Sequence, residues 1–333
     1  MIWQTLIPSL RTRFTSLALA AATLCTPLLA HAQSDYPNRP VRMMIGFPPG
    51  QATDVLGRAI ALKLQDVWNQ QFFVENKPGA AGIIGTQAAL AAPADGYTLL
   101  VTSSGPMAVN PGLYSKLPYD PLKDLVPVAG IAIVPLILVT NPSFAPTTVR
   151  DLVALAKARP GAINYASGGS GVTNHLVMEM FRAAAGVNMI HVPYKGGPPA
   201  LTDLMGGQVS VMFETSIAVL PLIKQGRLRA LAVSSASRIS AAPDLPTVAE
   251  QGYPGFSGVP WVALVASART PPAIVAKLNA EVNRILATKE MRDSFVAQGV
   301  EPMILSTDEF GSFMKTEVAK WTQAVKDSGA KVD

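Results

Sequence analysis

Arg42-Met-Met-Ile-Gly-Phe-Pro-Pro-Gly-Gln-Ala-Thr-Asp-Val-Leu-Gly57 and Ile163-Asn-Tyr-Ala-Ser-Gly-Gly-Ser-Gly-Val-Thr-Asn-His-Leu-Val-Met178 read alike. Each is a short apolar strand, a glycine-containing turn and the start of an amphipathic helix. Glycine lets backbone amides approach a ligand closely. A helix start leaves amides unpaired and partly positive, so it suits an anion. Two such turns from two halves of one chain can grip one small anion between them.

Outward from these stretches, strand-like runs at 41–47, 72–75, 97–102, 136–140, 163–166, 189–192, 209–213 and 229–233 alternate with helical patterns at 52–67, 82–91, 149–158, 173–184 and 199–205. This alternation predicts an α/β architecture with mainly parallel sheets. The C-terminal part is helical. Pro271-Pro272 opens a helix with Ile274, Leu278, Val282 and Ile285 on one face. Ser306-Thr-Asp-Glu309 is a capping box before a stripe of Phe310, Met314, Trp321 and Val325, and Gly329 stands where a stop belongs. Proline-bracketed extended runs at 134–142 and 256–267 are the candidate crossovers between two similar halves. They divide the chain into a discontinuous first domain, 33–136 plus 258–333, and a continuous second one, 137–257.

Residues 1–32 read as a removable export segment. Arg11 and Arg13 flank an apolar run, and Ala30-His31-Ala32 fits a small-x-small cleavage site. The sole cysteine, Cys25, lies inside it, so the mature chain is expected to hold neither disulfide nor thiol nucleophile. What is left, about 300 residues, suffices for two domains. Its formal charge falls from +5 to +3 with the loss of the two arginines. That mild positive balance is too scattered for nucleic acid.

Catalytic patterns fail one by one. His175 and His191 are the only mature histidines and form no metal-ligand spacing, so no metal or cofactor is expected. Gly168-Gly-Ser-Gly171 is followed by Val172 and lacks the nucleophile-elbow order. No lysine follows the glycines as a phosphate loop requires. Binding remains. The first turn offers Phe47, Gln51, Ala52 and Thr53, with Asp54 more at home stabilising its own helix. The second offers Ser170, Gly171, Val172 and Thr173, with Asn174 and His175 behind them. Ser103 and Ser104 follow one strand, and Glu214 and Thr215 another, on the side where open α/β sheets collect ligands. Tyr194 and Trp261 can close over the ligand body, although Trp261 fits a core role equally.

Several ordered strings carry a family resemblance: Tyr36-Pro-Asn-Arg-Pro40, Phe47-Pro-Pro-Gly50, Glu75-Asn-Lys-Pro-Gly79, Asp95-Gly-Tyr-Thr-Leu99, Leu117-Pro-Tyr-Asp-Pro121, His191-Val-Pro-Tyr-Lys-Gly196 and Leu245-Pro-Thr-Val248. The chain resembles the periplasmic receptors of tripartite tricarboxylate transporters, the Bug-type receptors, over almost its whole mature length. The resemblance implies a two-domain periplasmic binding protein of the type II, Venus-flytrap kind, with the ligand in a cleft between lobes. It implies a monomer in the periplasm that is not an enzyme. The implied ligand is a small mono-, di- or tricarboxylate, aromatic acids included, delivered to membrane permease subunits. Gln51 and Glu214 depart from the family's usual glycine and aspartate, so specificity does not carry over. The alternatives are an exported enzyme acting on a carboxylated substrate, with Glu214 and His175 as the nearest titratable pair, and a receptor that presents its closed form to a sensor.

Overall fold

The structure is a computed structural model and describes residues 36–330. The expected export segment, its cleavage point and Cys25 lie outside these residues. In chain order the elements are β1 (Val41–Ile45), α1 (Ala52–Trp68), β2 (Phe72–Asn76), α2 (Ile83–Leu90), β3 (Thr98–Ser103), α3 (Asn110–Leu113), β4 (Leu125–Ile133), β5 (Leu136–Thr140), α4 (Val149–Ala158), β6 (Asn164–Ser167), α5 (Thr173–Ala185), β7 (Ile190–Pro193), α6 (Gly197–Met205), β8 (Val211–Thr215), α7 (Ser216–Lys224), β9 (Arg229–Val233), β10 (Trp261–Ser267), α8 (Pro272–Leu286), α9 (Lys289–Ala297), β11 (Glu301–Pro302) and α10 (Thr307–Ser328).

The strands form two sheets, ordered β11-β4-β10-β3-β1-β2 and β7-β6-β8-β5-β9. Both are mixed, which corrects the expectation of mainly parallel pairing. β10 runs antiparallel between β3 and β4, and β5 runs antiparallel between β8 and β9. These are the strands by which the chain enters each sheet from the other, and each enters against the direction of its neighbours. The first crossing is short, because β4 ends at Ile133 and β5 begins at Leu136. The second is longer and ends in β10. The two crossings touch, Val134 N donating to Pro260 O at 2.8 Å.

Periodicity explains the core. Along β5, Leu136 and Leu138 join one buried cluster while Ile137 and Val139 join another. A strand buried on both faces has this alternation without a polar face. On α1, Leu56, Ile60 and Leu64 recur every four residues and are fully buried. The helix stops at Asn69 in the left-handed conformation. The larger cluster spans both sheets and includes Phe181, Phe213, Phe310 and Trp321. α10 carries the expected capping box at Ser306 and Glu309 and the expected stop at Gly329. Its first residues therefore start in place, and its stripe packs inward. Among the described residues no helix is long and apolar enough to cross a membrane.

Candidate functional site

The two glycine turns are conformational copies. Gly50 has φ 83° and Gly171 has φ 84°, a region L side chains rarely adopt. The next residues, Gln51 (φ −77°, ψ 161°) and Val172 (φ −75°, ψ 157°), are extended N-caps, and neither helix start carries a side-chain cap. In each turn the glycine amide is held by the side chain four residues on. Gly50 N donates to Asp54 Oδ2 at 3.0 Å, and Gly171 N donates to His175 Nδ1 at 3.3 Å. The amides that follow, at Ala52 and Thr53 and at Thr173 and Asn174, begin α1 and α5, where a helix leaves N–H groups without intrahelical acceptors.

Both starts meet at one cavity of about 80 Å³. Of the residues expected at the site, Phe47, Gln51, Ala52, Thr53, Ser103, Val172, Thr173, Asn174, Glu214, Thr215 and Trp261 line it. Strand ends supply Ser103 and Thr215, while the antiparallel β5 and β10 supply their first residues, Leu136, Trp261 and Val262. Ser170 and Tyr194 line an outer crevice of about 460 Å³ instead, together with Lys195. Phe47, Gln51, Gly168 and Val172 border both spaces, so the crevice is the outward continuation of the chamber. Gln51 Nε2 reaches the opposite side of the cleft. It lies 3.2 Å from where a Cβ on Gly196 would stand, 3.6 Å for Gly197 and 3.7 Å for Gly168.

Asp54, Ser104, Gly171 and His175 are placed behind this wall. Burial alone would raise the Asp54 carboxyl, but bonds from Arg58, Gly50 and Asn76 hold it below the usual carboxylate range. Its acceptors are taken up by Gly50 in its own turn, by Arg58 on α1 and by Asn76 at the end of β2. Ser104 Oγ lies 3.2 Å from Thr173 Oγ1 and joins the two sides of the cleft. His175 stacks on His191 with ring centroids 4.1 Å apart, and His191 stacks on Tyr165 at 4.9 Å. Burial lowers the His175 pKa, and burial together with the His175 ring pushes His191 down to about 4. Both rings are neutral supports of the second turn. His175 therefore faces His191 and Gly171 rather than Glu214, and among the described residues Glu214 is the only titratable group lining the chamber.

Trp261 is at once core and wall. It is fully buried, its Nε1 donates to Glu317 Oε2 at 2.9 Å, and Trp321 Nε1 donates to the same oxygen at 2.7 Å. The sequence reading missed Val134, Leu136, Gly168, Pro260 and Val262 as lining residues. Gly168 lies inside the second glycine turn itself. The others are brought in only by the crossings between sheets.

Two sheet-built lobes with two uncapped helix starts facing one chamber define a cleft-binding solute receptor. The model of the tripartite tricarboxylate transporter family receptor matches residues 56–330. Protein BugT of Bordetella pertussis (strain Tohama I) is 42% identical over 315 residues, covering 94% of this chain and 96% of that protein. R. palustris Rpa4515 with adipate superposes with a TM-score of 0.87 at 35% identity, covering 89% of this chain and 100% of that one. MatC from Rhodopseudomonas palustris with bound malate gives 0.82 at 29% identity, covering 87% and 100%. The chain belongs to the tripartite tricarboxylate transporter receptor family.

Proposed function

We propose that this chain, exported to the periplasm after loss of residues 1–32, acts as a monomer that captures a small organic carboxylate between lobes 33–136 plus 258–333 and 137–257. It then presents the closed complex to membrane permease subunits. The observation that carries this reading is the pair of matching turns, whose uncapped helix starts face a single chamber. A carboxylate accepts several N–H bonds at once, and charge assistance makes each stronger than a neutral bond. Ordered water can extend the reach of those amides without arginine.

The two spaces divide the guest. A carboxylate head suits the inner chamber, with Thr53, Ser103, Asn174 and Thr215 around it. The remainder of a longer acid runs toward the crevice past Phe47 and Tyr194, where Lys195 is available to a second carboxylate. Adipate and malate in the related structures are both dicarboxylates, which favours a dicarboxylate here.

A thermal-shift panel of mono-, di- and tricarboxylic acids tests the proposal. Ligand at about 100 times its dissociation constant adds roughly 2.7 kcal/mol to stability, an easily seen shift. Stabilisation by one acid class, confirmed by calorimetry at one site per chain, is the expected result. Indifference to every acid, with stabilisation by amines or neutral sugars, would overturn it. Light scattering across the titration checks the monomer.

A further inference from the structure

We propose that Glu214 holds a proton in the liganded receptor and donates a hydrogen bond to the guest carboxylate, so that binding is coupled to proton uptake at this residue. The inference rests on the carboxylate reading above and names how that same site sets its ligand's charge state.

The geometry that carries it is a single acid without a cation. Glu214 is 7% exposed and lines the inner chamber and a neighbouring cavity of about 260 Å³. It accepts from Thr215 N on Oε1 at 2.7 Å and, weakly, from Asn174 Nδ2 on Oε2 at 3.4 Å. Its Oε2 stands 2.7 Å from where a Cβ on Gly197 would be, so the carboxyl fills the space that this glycine leaves. The elements packed around it bring no compensating charge. Across the ladder β5 presents Ile137, α5 presents Asn174, α6 presents Gly197, and the first turn presents Gln51. His175, next on α5, turns to Gly171 and His191. Among the described residues lining the chamber and its two neighbours, Lys195 is the only other charged side chain, and it borders the outer crevice alone.

Two carboxylates in one desolvated space repel strongly, and the pair is relieved when one of them keeps a proton. Burial already raises the Glu214 pKa, opposed only by bonds from Thr215 and Asn174. A second carboxylate in the chamber adds to that bias. The Thr215 hydroxyl is the nearest polar neighbour of that carboxyl on the chamber wall and also works against the raised pKa. It lies beside the Glu214 carboxyl, is buried, and makes no bond of hydrogen-bonding geometry within the protein. A polar atom so placed is free to bond an occupant of the chamber.

The test is calorimetric titration of the best acid of the panel from pH 6.5 to 9.5, on wild type and on Glu214→Gln. Wild-type affinity should fall up to tenfold per pH unit once Glu214 ionises, because one proton is taken up per ligand bound. Glu214→Gln, a neutral donor of the same shape, should flatten the profile and bind at least tenfold more tightly than wild type at pH 9.5. An infrared difference spectrum of the wild-type complex should show a protonated carboxylic acid band that the variant lacks. A flat wild-type profile, or loss of acid binding by Glu214→Gln with retained folding, overturns this proposal while leaving carboxylate capture intact. Selective binding of α-amino acids by wild type, abolished in the variant, would instead make Glu214 an ionised acceptor for an ammonium group. Failure of every acid at every pH would remove the carboxylate reading itself, and this proposal with it.

Discussion

Ser104 Oγ and Thr173 Oγ1 stand 3.2 Å apart, and that bond ties the end of β3 in one sheet to the first turn of α5 beside the other. Thr173 lines the chamber while Ser104 does not, so the bond spans the cleft and its loss should favour opening. Ser104→Ala removes it and leaves every lining residue in place. One neutral hydrogen bond is worth about 1 kcal/mol net, so the closed state should lose about fivefold in population and apparent affinity should fall by a similar factor. Calorimetry measures the affinity, and small-angle scattering should report a more open unliganded protein.

The matching caps permit a clean deletion of single amides. Proline fits the first position of a helix when the preceding residue is extended, and both Gln51 and Val172 are. Ala52→Pro and Thr173→Pro each remove one N–H without breaking α1 or α5. Bonds to charged groups are worth about 1.5–3 kcal/mol, so each variant should bind a carboxylate roughly ten- to hundredfold more weakly with little change in melting temperature. Thr173→Val separates the lost hydroxyl from the lost amide. If both proline variants bind as wild type, the helix starts do not hold the guest.

Much of this was legible from patterns local in sequence. The two turns, the boundaries of β5 and β9, the stripe of α10 and its capping box follow from spacing alone. β4 was missed because Pro127 and Gly130 interrupt an otherwise apolar run. α7 was missed because it carries Pro221 internally. β10 was read only as an extended crossing, because its sheet neighbours lie far away in the chain. The same nonlocality hid part of the site. Leu136 reaches the chamber by pairing opposite Thr215, and Val262 by lying between Ser103 and Ala132. The sequence order of these residues contains no trace of that convergence. The placing of His175 behind the wall was equally hidden, since its direction depends on a stacking partner sixteen positions on.

The Gln51 side chain divides the inner chamber from the crevice and from the cavity beside Glu214. Gln51→Gly removes that partition and the contact toward Gly196. The joined space should accept longer or bulkier acids, while short acids lose a bonding partner. The ratio of affinities for a long over a short dicarboxylate should rise by roughly tenfold, the scale on which a removed pocket contact discriminates. An unchanged ratio across the acid panel would show that the partition does not read ligand length.

The stacked histidines give the fold an acid-side limit. An unfolded histidine titrates near about 6.5, whereas His191 is held down to about 4 by burial first and the His175 ring second, and His175 is lowered by burial. Between those values the unfolded chain binds protons that the folded chain refuses. Stability from this source is complete above pH about 6.5 and is lost as pH falls toward 4. Glu214, raised by burial, acts with the opposite sign, so the measure is the difference between proteins rather than one profile. His191→Gln keeps a polar partner for Ser167, whose hydroxyl lies 2.7 Å from His191 Nε2. Its melting temperature should decline less steeply than that of wild type between pH 6.5 and 4, and the two curves should run parallel above 6.5. Parallel curves throughout would mean that the rings accept protons without cost, and that the second turn is not propped by a neutral pair.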